Sequence, residues 1–226
     1  MAAEERKGQA KAEGRLVVIS GFSGSGKGTV IGELLKRSQD HVLSVSMTTR
    51  QPREGEKEGV SYFFVTRDRF EEEIRRDSLL EYASYVEHYY GTPRFYVEEH
   101  LGAGRNVLLE IEVQGALQVR GKRSDALMIF IVTPSAKELE RRLEGRNSEE
   151  PAVVTKRLRQ ALEEAKSILF YDHMVINDDL QETVRAVESL IRGEAGIGSY
   201  PPDPAFVETF VRDLKEIIAQ REKKYF

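Results

Sequence analysis

The chain has 226 residues, 34 basic and 38 acidic side chains for a formal net charge of −4, and no cysteine. That length suits one α/β domain with insertions better than two independent domains. Missing cysteine excludes disulfides, thiolate metal sites and cysteine nucleophiles and fits a cytoplasmic setting, while the balanced charge lacks the sustained basic excess of a nucleic-acid groove.

Residues 1–14, Met-Ala-Ala-Glu-Glu-Arg-Lys-Gly-Gln-Ala-Lys-Ala-Glu-Gly, carry no apolar run. They read as a disordered leader rather than a signal peptide or membrane anchor, and no membrane partner is expected. Leu16-Val17-Val18-Ile19 is β-branched and uninterrupted, the pattern of a parallel strand covered on both faces. A glycine-rich turn follows, and Val30, Ile31, Leu34 and Leu35 then repeat at helical spacing up to Lys36 and Arg37.

Residues 43–96 are rich in Tyr, Phe, Thr, Arg and Gly, with strand-like stretches at 62–65 and 80–86 and a helical pattern over 68–76. They read as a small β-containing lobe inserted into the core. Beyond it, Val107-Leu108-Leu109 precedes a helix from about Gly115, Leu127 to Val132 precedes one from Pro134 or Ser135, and Met174-Val175-Ile176 precedes one from about Leu180. This alternation predicts a mostly parallel sheet with helices on its faces. Residues 143–157, charged and punctuated by Gly and Pro, read as a mobile lid.

The core domain is thus expected to span 15–199, made of 15–42 and 97–199. Tyr200-Pro201-Pro202-Asp203-Pro204 then reads as a stiff linker to a C-terminal helix over 205–224. Phe206, Phe210, Leu214, Ile217 and Ile218 line one face of that helix beside Val207 and Val211. Docking on the core is preferred to an interaction helix; a dimer contact and the oligomeric state stay open.

Gly21-Phe22-Ser23-Gly24-Ser25-Gly26-Lys27-Gly28-Thr29 lies between the first predicted strand and helix, the context a P-loop requires. Its backbone N–H groups and the helix dipole suit a phosphate chain, and Lys27 supplies a cation for the β- and γ-phosphates. Gly28 stands where most P-loops place a Ser or Thr that ligates Mg²⁺, and Thr29 follows it. This Lys-Gly-Thr version is similar to that of nucleoside monophosphate kinases.

A second constellation is Ser44-Val45-Ser46-Met47-Thr48-Thr49-Arg50-Gln51-Pro52-Arg53-Glu54-Gly55-Glu56, in which two arginines around a proline make a fork for monophosphate oxygens. Here, and in Gly59-Val60-Ser61-Tyr62-Phe63-Phe64, Leu80-Glu81-Tyr82-Ala83, Tyr89-Tyr90-Gly91-Thr92, Leu109-Glu110-Ile111-Glu112-Val113-Gln114-Gly115, Arg142-Leu143-Glu144-Gly145-Arg146, Lys156-Arg157-Leu158 and Ile176-Asn177-Asp178-Asp179, the chain resembles the guanylate kinases over about residues 15 to 193.

The resemblance implies a P-loop NTPase fold with a parallel central sheet, a GMP-binding β lobe and a lid, and transfer of a phosphoryl group from ATP, with Mg²⁺, to GMP. It also implies residue roles. Glu81 is the carboxylate that reads guanine and Ser46 the hydroxyl, with Thr92 nearby, while Arg50, Arg53, Tyr62 and Tyr90 hold the GMP phosphate. Arg142, Arg146 and Arg157 close over ATP, and with Lys27 and Arg50 they stabilise the transferring group. Asn177 lies near the adenine. Glu112 orients the acceptor nucleotide or a Mg²⁺-bound water, and Glu110 pairs with a neighbouring cation.

Guanine offers N1–H and N2–H₂ donors to a carboxylate, whereas adenine would leave Glu81 unpaired. A sugar phosphate, the substrate of related ribose bisphosphate kinases, has no such edge. Non-catalytic scaffold modules of this type have degraded P-loops, but Lys27 is present here. The four histidines, His41, His88, His100 and His173, show no metal-ligand spacing, so no other metal site is expected.

Overall fold

The structure, a computed structural model, describes residues 13–145, 150–194 and 198–225. In chain order it runs β1 (Leu16–Gly21), α1 (Lys27–Arg37), β2 (His41–Leu43), β3 (Met47–Thr48), β4 (Phe63–Phe64), α2 (Arg67–Arg75), β5 (Leu79–Tyr85), β6 (His88–Pro93), α3 (Arg94–Gly102) and β7 (Asn106–Glu110). It continues α4 (Val113–Lys122), β8 (Leu127–Val132), α5 (Ala136–Glu144), α6 (Pro151–Ala165), a 3-10 turn (Lys166–Phe170), β9 (His173–Ile176), α7 (Leu180–Ile191), β10 (Ser199–Tyr200) and α8 (Pro204–Tyr225).

Among the described residues the central sheet has six strands in the order β10-β9-β8-β1-β7-β2. All its pairs are parallel except β10 on β9. The apolar run of β1 works as a two-faced strand: Leu16 and Val18 join one core cluster, Val17 and Ile19 the other. Helices α1 and α7 cover one face through Val30, Ile31, Leu34, Val184 and Val187, while α3, α4, α5, α6 and α8 cover the opposite face. Burying each such aliphatic side chain contributes roughly 1.5–3 kcal/mol. Because the strands are parallel, their carboxyl ends gather on one edge, where loops form the ligand crevice.

A second sheet, ordered β4-β3-β6-β5, forms the inserted lobe around Met47, Phe70 and Leu79. Its β5–β6 hairpin turns at Val86 and Glu87, with φ of 45° and 67°. Two-residue hairpin loops with both φ positive favour Asn-Gly, and a β-branched residue is strained there. Val86 is exposed, so it gains little packing in return. The double change Val86→Asn, Glu87→Gly is expected to stabilise the fold by about 1 kcal/mol; chemical denaturation of the variant beside the parent checks this, and a lower midpoint would contradict the strain argument.

Several expected boundaries move. Gly14 is no longer leader: its N–H donates to Leu101 O at 2.9 Å, because β1 is flanked directly by the α3–β7 turn; residues 1–12 lie outside the described residues. Tyr200 belongs to the sheet, not to a linker, since Ser199 and Tyr200 pair with Val175 and Met174. The 143–157 stretch is helical at both ends, with α5 reaching Glu144 and α6 starting at Pro151, a favourable first helical position for proline. The C-terminal helix docks as preferred, burying Val207, Phe210, Leu214, Ile217 and Ile218. No helix of the described residues is long and apolar enough to cross a membrane.

Candidate active site

The P-loop leaves the carboxyl end of β1 and enters α1 at Gly26, whose φ of +92° is unfavourable for other residues. A Cβ on Gly26 would stand 2.4 Å from Asn177 Nδ2, so glycine is also required by space. No side chain caps α1. Helices α2, α5 and α7, by contrast, have Thr66, Ser135 and Asp179 accepting from backbone N–H groups of their first turns. The first N–H groups of α1 therefore remain available to an anion. Lys27 Nζ donates to Gly21 O at 2.5 Å and Phe22 O at 3.3 Å, which folds the cation back along the loop it serves.

Not every predicted P-loop side chain faces a ligand. Phe22 is fully buried, stacked on Phe210 with centroids 5.1 Å apart and edge-on to Phe130, so any contact with phosphate is through its backbone. Ser25 is buried as well. Asn177, expected near the adenine, is 6% exposed; it donates from Nδ2 to Ser25 O at 2.7 Å and accepts from Thr183 at 3.1 Å, which braces the loop.

Across from the loop, the inserted lobe and the ends of β2 and β7 enclose a cavity of about 180 Å³. Ser46, Tyr62, Thr92 and Glu110 are among its lining residues. Behind Thr92 lies Glu81, brought opposite it by the β5–β6 register. Thr92 Oγ1 donates to Glu81 Oε1 at 2.6 Å, and both residues are buried. Burial pushes the Glu81 carboxyl above its ordinary value, with the Thr92 hydroxyl partly offsetting the shift. Its other oxygen lies 2.7 Å from where a Cβ on Gly115 would stand, so the first turn of α4 must be bare there.

The arginine fork takes a specific form. Arg50 Nη1 and Nη2 donate to Glu56 Oε2 and Oε1 at 3.0 and 2.9 Å, and Glu56 also accepts from Arg53 N at 2.7 Å. Glu56 above all holds the Arg50 guanidinium charged, and the Tyr62 ring lies 5.3 Å from it. The Tyr62 and Tyr90 rings meet edge-on at 6.0 Å, so Arg50, Tyr62 and Tyr90 form one wall. Arg53 is exposed beside them.

Two of the three expected ATP-side arginines converge on the loop region. Arg157 Nη1 approaches Ser23 Oγ at 3.3 Å from α6. Arg142, on α5, donates from Nη2 to Asn177 O at 2.9 Å and from Nε to Glu138 at 2.7 Å. Arg141 and Arg142 together hold the Glu138 carboxyl down at about 2. Arg146 lies outside the described residues.

The acidic pair separates by strand geometry. Glu110 lines the cavity and its Oε1 lies 3.7 Å from where a Cβ on Gly28 would stand, so it joins the lobe cavity to the P-loop. No cation pairs with it among the described residues, contrary to expectation. Glu112 precedes α4, near enough to Glu164 that its charge helps raise that carboxyl, behind the larger effect of burial. The signal for Glu110 was its place at the carboxyl end of a strand next to β1, where open α/β sheets put ligands. Glu56 had a weaker signal, three residues beyond Arg53. Among the described residues no cluster of three His, Asp or Glu is placed to hold a metal alone.

The guanylate kinase family model matches residues 13–194. The guanylate kinase of Latilactobacillus sakei is 48% identical over 182 residues, covering 80% of this chain and 90% of that protein. A guanylate kinase of Thermus thermophilus is 49% identical over 181 residues, covering 80% and 82%. A crystal structure of guanylate kinase from Anaplasma phagocytophilum superposes with a TM-score of 0.61 at 34% identity, covering 81% of this chain and 87% of that one. A P-loop facing a lobe cavity backed by the buried Thr92–Glu81 pair thus sits on a chain that belongs to the guanylate kinase family.

Proposed function

We propose that this chain transfers the γ-phosphoryl group of ATP to a phosphate oxygen of GMP, forming that P–O bond, breaking the β–γ bridge and releasing ADP and GDP. The observation that carries the reading is Glu110, which lines the acceptor cavity and whose Oε1 lies 3.7 Å from where a Cβ on Gly28, in the first turn of α1, would stand, so the two phosphate sites would adjoin there. The GMP phosphate is largely ionised at neutral pH because its second pKa is about 6, so no protein base is needed. Positioning and charge neutralisation then carry the catalysis.

Lys27 and the N–H groups of Ser23 to Thr29 would hold the ATP phosphates, with Arg142 and Arg157 approaching from α5 and α6. Arg50, Arg53, Tyr62 and Tyr90 would hold the acceptor phosphate, and Glu81, Thr92 and Ser46 the guanine edge. The residues present fit Mg²⁺ carried with ATP: Mg²⁺ takes one or two carboxylates and leaves its other positions to phosphates and water. Glu110 is exposed beside the position where Gly28 leaves room. Glu110 would hold the ion, with Glu112 behind it, and the ion would neutralise charge on the transferring group.

ADP release from ATP and Mg²⁺ with GMP, AMP, CMP, UMP and a ribose phosphate as separate acceptors tests the reading. Rapid turnover with GMP alone is expected; turnover only with the sugar phosphate would replace it.

The raised Glu81 carboxyl gives a pH signature. In the ligand-free enzyme its stabilising contribution is present below the unfolded value, near 4.5, and is lost as pH rises through the higher folded value. Guanine needs the ionised form, so affinity should fall as pH drops through that folded value, earlier than an ordinary glutamate would titrate. Guanosine, lacking the phosphate that titrates near 6, is the suitable competitor. Its inhibition constant should rise on acidification, and that rise should vanish in Glu81→Gln.

A further inference from the structure

The C-terminal helix lies beyond the residues the family model matches, 13–194, yet it packs against both helices that carry the ATP-side arginines. On α5, Glu140 and Glu144 are four residues apart and share one face, while Arg142 lies two residues from each and faces the other way. On α6, Thr155 and Arg157 are likewise two apart. The fronts of the two helices thus present Arg142 to Asn177 O and Arg157 to Ser23, while their backs present Glu140, Glu144 and Thr155 to α8.

One side chain of α8 takes all three. Arg221 Nη1 donates to Glu140 Oε1 at 2.9 Å and to Glu144, and its Nε donates to Thr155 Oγ1 at 3.3 Å. The residue is 5% exposed, and its guanidinium sits 5.2 Å from the Tyr225 ring. Stability alone is a poor reason for this choice. A buried ion pair is often no more stabilising than an apolar replacement of similar volume, and α8 already buries Val207, Phe210, Leu214, Ile217 and Ile218. A planar fork that fixes several partners at once does supply direction.

We propose that Arg221 is a positioning residue for the ATP site, tying the backs of α5 and α6 together so that Arg142 and Arg157 stand jointly at the P-loop. The inference rests on the proposed kinase reading for its kinetic consequences, though not for the geometry. It separates the two substrates. The acceptor cavity is lined by β2, β7 and the inserted lobe, none of which touches Arg221, so GMP parameters should be insulated from it.

The experiment compares the full chain with Arg221→Met and Arg221→Lys, measuring unfolding midpoints, steady-state kinetics in each substrate and ATP binding by calorimetry. In Arg221→Met the KM for ATP is expected to rise and kcat to fall by about tenfold each, with the KM for GMP within about twofold, because misplaced catalytic groups cost rate and ATP-side binding selectively. Arg221→Lys, which keeps the charge without the fork, should fall between.

A merely structural arginine would lower the unfolding midpoint and leave both KM values as they were, and that result, or equal effects on both substrates, would overturn the proposal. Should Arg221→Met fail to fold, Arg221→Lys decides on the same split, unchanged ATP parameters counting against. Should the parent show no GMP-dependent turnover, the kinase reading fails by itself. The calorimetric ATP affinity of the variants then still supports or overturns the positioning role.

Discussion

Lys27→Ala is expected to lower ATP-dependent phosphorylation of GMP by roughly 10³-fold or more, the scale on which removing a fixed cation from a transferring phosphoryl group acts. Lys27 follows directly on Gly26, at the first position of α1, and its Nζ donates to the carbonyls of Gly21 and Phe22, which would hold it where a phosphate chain enclosed by the loop would pass. GMP binding should be nearly intact. The proposed acceptor wall would be Arg50, Tyr62, Tyr90 and the Glu81–Thr92 pair, with no contribution from Lys27. Rates with saturating GMP, paired with GMP titration calorimetry, separate the two effects. A large loss of GMP affinity in the variant would mean that the two phosphate sites are not distinct.

The same distinction explains which parts of the site could be seen in the sequence. A P-loop is a local object: strand, glycines, lysine and helix are contiguous, and the structure places β1 and α1 where the apolar run and the 3.6-residue pattern put them. Arg50 and Arg53 are legible for the same reason. The contacts of Asn177 were not, because they reach Ser25, 152 positions away, and Thr183 on the next helix. The alternation of strands and helices gave the parallel sheet but not its antiparallel edge, because β10 is two residues long and carries no period.

The different surroundings of Glu110 and Glu112 likewise lie outside the local pattern. Two carboxylates two residues apart straddle the end of β7, and which one reaches the P-loop depends on the pairing of β7 with β1. Glu140 and Glu144 look like a solvated face until α8 is in place, and then each accepts from Arg221, whose own position in the sequence suggests only a helix-end basic residue. What sequence pattern conveys is periodicity and contiguous motif. What it omits is the partner that arrives from another element and turns an ordinary polar residue into a strut.

Glu81→Gln should collapse base selectivity. The native carboxylate would offer two acceptors to guanine N1–H and N2–H₂; an amide would keep one acceptor and substitute a donor, which would oppose one guanine hydrogen. A site built around polar partners discriminates by roughly 10⁴-fold against a ligand that leaves them unpaired, so kcat/KM for GMP over AMP should fall by several orders of magnitude, mostly through loss with GMP. The ratio measured with both acceptors at equal ATP tests this, and an unchanged ratio would remove Glu81 from base recognition. Gly115→Ala is the companion experiment. Its new Cβ would stand 2.7 Å from Glu81 Oε2, too close to tolerate, so the carboxylate must shift while its charge and chemistry remain. If selectivity depends on where Glu81 is held and not only on its presence, Gly115→Ala raises the KM for GMP and lowers the GMP/AMP ratio with the ATP parameters unchanged. Base recognition would then belong to the pairing of β5 with β6 and the bare first turn of α4 together, since neither alone fixes both oxygens.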